Sequence, residues 1–296
     1  MLLNGGLEVI MECALFYCSR MIQRVGSEKY ELRDVIGPDE YHERIDNDGY
    51  TNRMAKYVLE HAVELADKYP GELRKMKYMD AEKLLRIKQA ASRIYVPKPD
   101  EETGLIEQFD GYFSLEDVSV EEVRSRLLHP KEYWGGSNGV ASHTQVIKQA
   151  DIVMWLAMFP EDFSLEIIRA NWNYYEPRTE HGSSLSACMY ALTSCRMGDA
   201  ETAYPLFLKS AMADLTGGGK EWAGNIYIGG THPAAAGGAY LNVVMGFAGV
   251  RFSEEGIQCK PCLPKQWEEL DFSVCYRKRR YHIHIAENKA EVRITE

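Results

Sequence analysis

"GPDEYHERIDNDGYTNRMAKYVLEHAVELADK" runs from Gly37 to Lys68 and changes character at Thr51. Before Thr51, Gly37-Pro38 enforces a turn, and carboxylates crowd a stretch in which no regular helix or strand can run. From Thr51 onward apolar residues recur at three- and four-residue intervals, the period of an amphipathic helix. The same alternation repeats along the chain, and helices are expected over 7–25, 51–68, 81–92, 144–159, 165–174, 185–197, 200–215 and 233–246. Long loops rich in Gly, Pro and aromatic residues separate them at 94–133, 171–184 and 216–232. Unstructured stretches of that length inside a domain are usually functional. From Val250 the pattern shortens to alternating runs broken by Pro261 and Pro264, the mark of strands. Paired helices joined by loops of unequal length suit much of an α/α toroid, with the loops of one face forming a pocket.

At 296 residues, 45% hydrophobic and 26% charged, the chain has room for one large domain or two smaller ones. Its net charge of -10 argues against nucleic acid or another polyanion as partner. The basic run Arg277-Lys278-Arg279-Arg280 sits among tyrosines and reads as a solvated strand face. Seven cysteines lie mostly inside apolar helical patterns, and Cys259-Lys260-Pro261-Cys262 has no second pair at zinc-site spacing. Reduced thiols are therefore expected, with no metal. His282 and His284 share a strand face but lack an evident third ligand. With no signal-peptide pattern and no apolar run of membrane-spanning length, a cytoplasmic protein is the expectation.

Acids just before a helix can cap it and offset its dipole, which accounts for Asp46, Asn47 and Asp48. Asp39-Glu40-Tyr41-His42 lie too far upstream for that. "GPDEYHERIDNDGYTN" (Gly37–Asn52) closely resembles the catalytic-loop signature of glycoside hydrolase family 65, the disaccharide phosphorylases. "HTQVIKQADIVM" (His143–Met154), "YYEPRTEHGSSLSACMYAL" (Tyr174–Leu192) and "YIGGTHPAAAGG" (Tyr227–Gly238) follow in the family's order. The stretch beginning at Ile257 is similar to that family's small C-terminal β domain. The resemblance implies a mainly α fold: an incomplete (α/α)6 barrel over 1–249, a toroid of helical hairpins, then a C-terminal antiparallel β domain over 250–296. It also implies that the chain is a C-terminal portion of such an enzyme.

The implied reaction is inverting phosphorolysis of an α-linked glucosyl disaccharide to β-glucose 1-phosphate and a free sugar. A glycosidic oxygen leaves poorly, so a carboxylic acid must protonate it, and the family pattern assigns that role to Glu40. Burial near Tyr41 or the neighbouring Asp39 carboxylate is expected to keep Glu40 protonated. Glu43 is the rival acid. Phosphate is itself the nucleophile and co-substrate, so the chemistry calls for an anion cradle rather than a cofactor. His181, Gly182, Ser183 and Ser184 before a helix expected from Leu185 are candidates, as are Thr231 and His232 before Pro233, since helix N-termini attract anions. By resemblance Lys148 and Gln149 hold glucose hydroxyls, Lys148 being expected in a helix; Asp39, His42 and Trp134 complete the sugar-binding set. Trp134 in "EYWGGSNG" is the favoured stacking residue over Trp155, Trp172 and Trp222. Read singly, each histidine suits a core or cap position equally well, and Lys148 an exposed one.

Two other readings stand beside the phosphorylase. A hydrolase of the same family, such as an acid trehalase, would need a second catalytic carboxylate opposite Glu40. A remnant that binds sugar without turning it over is the third. Maltose, trehalose, kojibiose and nigerose all remain open as substrates, and the resemblance suggests a homodimer.

Overall fold

The computed structural model describes residues 2–130, 132–215, 221–222, 226–227 and 231–295, the two short middle pieces by backbone alone. Ten α-helices are described: α1 (Leu7–Arg20), α2 (Gly49–Lys68), α3 (Pro70–Leu73), α4 (Ala81–Arg93), α5 (Val120–Ser125), α6 (Ile152–Met158), α7 (Leu165–Tyr175), α8 (Ala187–Arg196), α9 (Ala200–Ala211) and α10 (Pro233–Leu241). The last runs on into a π-helical turn, Asn242–Phe247. Strands β1 (Ile22–Gln23) and β2 (Tyr30–Glu31) make a small antiparallel pair, as do β3 (Glu221–Trp222) and β4 (Ile226–Tyr227).

Helix boundaries follow from caps. Asp48 Oδ1 accepts the Thr51 amide at 2.7 Å, so α2 opens at Gly49 rather than Thr51. Asp80 does the same for α4 through Lys83, and Asp199 for α9 through Thr202. On α2, Ala55, Leu59, Ala62, Leu65 and Ala66 form one buried stripe. It packs against Leu7, Met11, Ala14 and Cys18 of α1 and Ile87, Ala90 and Ala91 of α4. A second core surrounds α6, where Ile152, Val153, Trp155 and Leu156 meet Ile106, Tyr112, Ile168, Tyr175 and Tyr190.

Three expectations are corrected. The first helix ends at Arg20, because Met21 turns extended and the chain pairs as β1. The segment Leu2–Arg20 is also, by length and composition only, apolar enough to cross a membrane, contrary to the sequence reading. Here its inner face packs on α2 and α4.

The third correction matters most for function. The helix expected over 144–159 forms only from Ile152. Upstream, the backbone amides bond elsewhere: Gln145 to the Glu116 carbonyl, Ile147 to the Arg178 carbonyl, Lys148 to Asp39 Oδ1 and Ala150 to Ser186 Oγ. Val146, Ile147 and Ala150 are wholly buried without a helical face. Lys148 and Gln149 thus lie on an irregular strand threaded through the interior.

Beyond Gly249, β5 (Val250–Phe252) pairs with β6 (Ile257–Cys259), and β7 (Glu269–Tyr276), β8 (Arg279–Ala286) and β9 (Lys289–Ile294) form an antiparallel sheet in the order β7-β8-β9. Val274, Tyr281, Ile283 and Ile285 turn inward onto Val244 and Ala248. The opposite face is polar, with the sheet alternation that one covered side requires.

Leu59 has no exposed surface and sits where α1, α2 and α4 meet. Leu59→Ala should lower unfolding stability by about 2–5 kcal/mol through lost burial and a residual cavity, read from the denaturation midpoint at unchanged slope.

Candidate active site

The acid loop is built around Asp39. Its carboxylate has no exposed surface and accepts four hydrogen bonds: Tyr41 N at 3.1 Å, His42 Nδ1 at 2.5 Å, Gln108 Nε2 at 3.1 Å and Lys148 N at 2.9 Å. Its own amide donates to Asp151 Oδ2 at 3.2 Å. Such charge-assisted bonds fix the backbone on both sides of Glu40. His42 is equally committed, its Nε2 lying 2.8 Å from the Thr144 carbonyl. Burial opposes protonation of His42, but the Asp39 carboxylate outweighs it and raises its pKa. The polar atoms of Asp39 and His42 are therefore spent within the protein, and the two serve as scaffold for the loop rather than as contacts for sugar.

Glu40 points the other way. Its side chain is 47% exposed, and its carboxylate forms a short ion pair with Lys148 Nζ. The Glu40 carbonyl accepts the Tyr133 hydroxyl at 2.7 Å. The environment anticipated for Glu40 is placed elsewhere: Tyr41 turns away to reach Glu180, and the Asp39 carboxylate is sealed beneath the loop. Glu43 is exposed and lies against Gly136. Of the two candidate acids, only Glu40 meets Lys148.

Close backbone packing clamps the loop. A Cβ on Gly135 would lie 2.7 Å from Tyr41 Cα and 2.9 Å from the Glu40 carbonyl oxygen, so only glycine lets these chains meet. Trp134 stacks on Tyr41 with ring centroids 5.8 Å apart and packs with Val120, Val123 and Val146. At 7% exposure it is core, not the free sugar platform the sequence suggested. Trp155 is core too, and Trp172 donates to the Tyr190 carbonyl. The Trp222 side chain lies outside the described residues.

A third segment closes the group. Glu180 N bonds to the Ile147 carbonyl and Gly182 N to the Lys148 carbonyl at 3.0 Å, placing His181 and Gly182 beside Lys148. The Tyr41 hydroxyl donates to Glu180 Oε2 at 3.2 Å. His181 adopts a left-handed backbone, φ 54°, which a non-glycine residue holds only when its surroundings enforce it. Its Nδ1 meets Ser186 Oγ at 2.8 Å, while its buried Nε2 finds no hydrogen-bond partner among the described residues. Burial, aided by Lys209 on α9, lowers its pKa to about 4, so the ring is neutral near pH 7. Helix α8 begins at Ala187, so Ser183 and Ser184 occupy a turn before the helix rather than its cap. Gln149 Nε2 donates to the Pro38 carbonyl.

Thr231 and His232 stand apart from this cluster in their bonding. Thr231 is exposed, and His232 caps α10 with its amide and Nδ1 both held by Asp214, at 2.6 and 2.5 Å. A carboxylate there works against an anion at that helix end. The rest of the expected loop 216–230 lies largely outside the described residues. His282 and His284 each pair with Asp271 at 3.2 Å, and among the described residues no group of three or more His, Cys, Asp or Glu could hold a metal ion. The sequence reading missed Gln108, Tyr133, Glu180 and Lys209; Tyr133 and Glu180 directly precede Trp134 and His181 in the quoted motifs, whereas Gln108 and Lys209 carry no spacing signal.

Residues 1–240 match the model of the glycosyl hydrolase family 65 central catalytic domain, and 250–296 match that family's C-terminal domain. The chain belongs to glycosyl hydrolase family 65. Among family 65 relatives it is 53% identical to nigerose phosphorylase of Lachnoclostridium phytofermentans over 98% of this chain and 39% of the relative. It is 35% identical to kojibiose phosphorylase of Caldanaerobacter subterraneus over 99% of this chain and 38% of that protein. A solved human-microbiome structure assigned as a kojibiose phosphorylase superposes with TM-score 0.85 at 28% identity, covering 99% of this chain and 43% of the other. The chain thus spans about two fifths of the length of the curated family 65 relatives it matches. The mainly helical architecture with a C-terminal antiparallel sheet agrees with the (α/α)6-type fold anticipated from the sequence.

The two buried histidines should titrate in opposite senses. By imidazole NMR His181 should stay neutral until about pH 4, whereas His42 should bind its proton above the usual histidine range. Asp39→Asn should bring the His42 value down; an unmoved His42 titration would contradict the pairing.

Proposed function

We propose that this chain forms the acid-bearing part of a phosphorylase that splits an α-linked glucosyl disaccharide with inorganic phosphate and inverts the anomeric centre. One observation supports this above others: Glu40 and Lys148 meet at the surface of a buried scaffold, with the His181–Gly182 turn hydrogen-bonded to the Lys148 backbone. Glu40 is the proposed general acid. In the structure its partner is an ammonium; a sugar hydroxyl that draws Lys148 Nζ away would free the carboxyl to carry a proton toward the glycosidic oxygen. Lys148 then has two roles, as partner of the resting acid and as donor to glucose.

The proposed phosphate ligands are His181, through the Nε2 that has no partner among the described residues, with the Gly182, Ser183 and Ser184 turn beside it. A neutral imidazole with its proton on Nε2 donates to an anion without adding charge, and Lys209 supplies a nearby positive field. This reconciles a chain of net charge -10 with an anionic co-substrate.

Glu180 is the carboxylate that a hydrolase would need to recruit as base. Its bond to the Tyr41 hydroxyl and its position opposite Lys209 favour a structural and electrostatic role instead. The activities of family 65 relatives make nigerose the first substrate to test, followed by kojibiose, trehalose and maltose.

Product analysis with and without phosphate tests the proposal. Cleavage should require phosphate and yield glucose 1-phosphate. Glu40→Gln should reduce it by at least about a hundredfold, while Glu180→Gln retains phosphate dependence. Cleavage indifferent to phosphate and abolished by Glu180→Gln would replace this reading with hydrolysis.

A further inference from the structure

Beneath the acid loop lie two carboxyls that the proposed chemistry does not use. Asp48 and Asp151 have no exposed surface and adjoin each other beneath Gly37. A Cβ on Gly37 would lie 2.5 Å from Asp48 Oδ2 and 2.8 Å from Asp151 Oδ2, so both abut the point where the loop begins. Asp48 Oδ1 caps α2, and Asp151 Oδ2 receives the Asp39 amide. Asp48 Oδ2 and Asp151 Oδ1 receive no hydrogen bond from any donor among the described residues.

Among the described residues, the groups facing the pair offer no compensating charge. Asp39 approaches from the loop, Tyr50 from α2, Tyr175 from α7 and Tyr190 from α8. The imidazole of this region, His42, is taken by Asp39 and the Thr144 carbonyl, and the Lys148 ammonium by Glu40. Two adjoining carboxylates, buried and with no cation paired to them among the described residues, cannot both ionise at ordinary cost.

We propose that Asp151 is a positioning residue, holding the acid loop in place through a proton shared with Asp48; its importance to catalysis rests on the reading of Glu40 as acid. The proton joins the first turn of α2 to the residue before α6. The Asp39 amide hangs from the protonated partner, and Glu40 is the next residue. Loss of the proton sets two buried anions against each other directly under the Gly37–Asp39 backbone, and the loop that presents Glu40 loosens.

Burial acts in the same direction on both groups, pushing Asp48 up to about 6 and Asp151 well above the usual carboxylate range, the latter also by the charges of Asp48 and Asp39. Because the folded values exceed the unfolded ones, the stability the pair contributes is fully present at low pH and is lost as pH rises through the folded values.

Asp151→Asn mimics the neutral acid: its amide can donate to Asp48 while its carbonyl keeps the Asp39 amide. Three measurements on the chain itself test the proposal. Infrared spectra of the wild type near neutral pH should contain the carbonyl stretch of a neutral carboxylic acid, absent from Asp151→Asn. The wild-type melting temperature should fall relative to the variant by at least about 2–4 °C between about pH 5 and about pH 9. Hydrogen exchange over 37–42 should quicken with pH in the wild type beyond the intrinsic chemical rate and in the variant should not. A wild type without that infrared band, or parallel pH curves for the two proteins, would overturn the shared proton. None of these readouts needs turnover, so failure of the phosphorylase reading would appear separately, as absent phosphorolysis with the pH effects intact.

Discussion

The site hangs from a single buried carboxylate. Asp39 gathers donors from its own loop, from the 94–133 connection and from the strand threaded through 144–151. A buried anion of this kind is costly unless several donors satisfy it, and removing any one leaves a deficit in low dielectric. That demand explains why the strand does not become helix: the amide of Lys148 is committed to Asp39. It also explains why Glu40, flanked by backbone that cannot move, presents its side chain outward toward Lys148.

Electrostatically the region is layered. Asp48 and Asp151 and the Asp39–His42 pair are buried, while Glu40 meets Lys148 at the surface. Charge is paired within Asp39–His42 and within Glu40–Lys148, so the acidic balance of the whole chain does not dictate what the surface layer can bind. The neutral His181 and the Lys209 ammonium on α9 border that layer from the other side. Glycines at 37 and 135 permit this layering, because each stands where a side chain would collide with a carboxyl or with the loop backbone.

Much of the helical frame was legible from periodicity and caps. The expected 51–68 and 81–92 differ from Gly49–Lys68 and Ala81–Arg93 by at most two residues. Each of these helices has one wet face, which is what a 3.6-residue period records. The 144–151 strand was misread for the opposite reason: Val146, Ile147 and Ala150 are buried on every side, and total burial leaves no period to distinguish strand from helix. Short α3 and α5 offered too few turns to register. Within the site, family resemblance rather than spacing brought Glu40 and Lys148 together. It could not say that Trp134 packs inward or that His232 belongs to Asp214, because both depend on neighbours remote in sequence. The Asp48–Asp151 contact was illegible, since Asp48 reads locally as a cap and nothing else.

The bonds that finish this region have unusually long reach. Asp39 meets Gln108 across 69 positions, Lys148 across 109 and Asp151 across 112. Helices α2 and α4, by contrast, consolidate from near neighbours. Ring closures of that length carry an entropic penalty before they return any binding, so they form late on the folding route. The helical scaffold can accordingly exist, during synthesis or under mild denaturant, with its chemical apparatus not yet assembled.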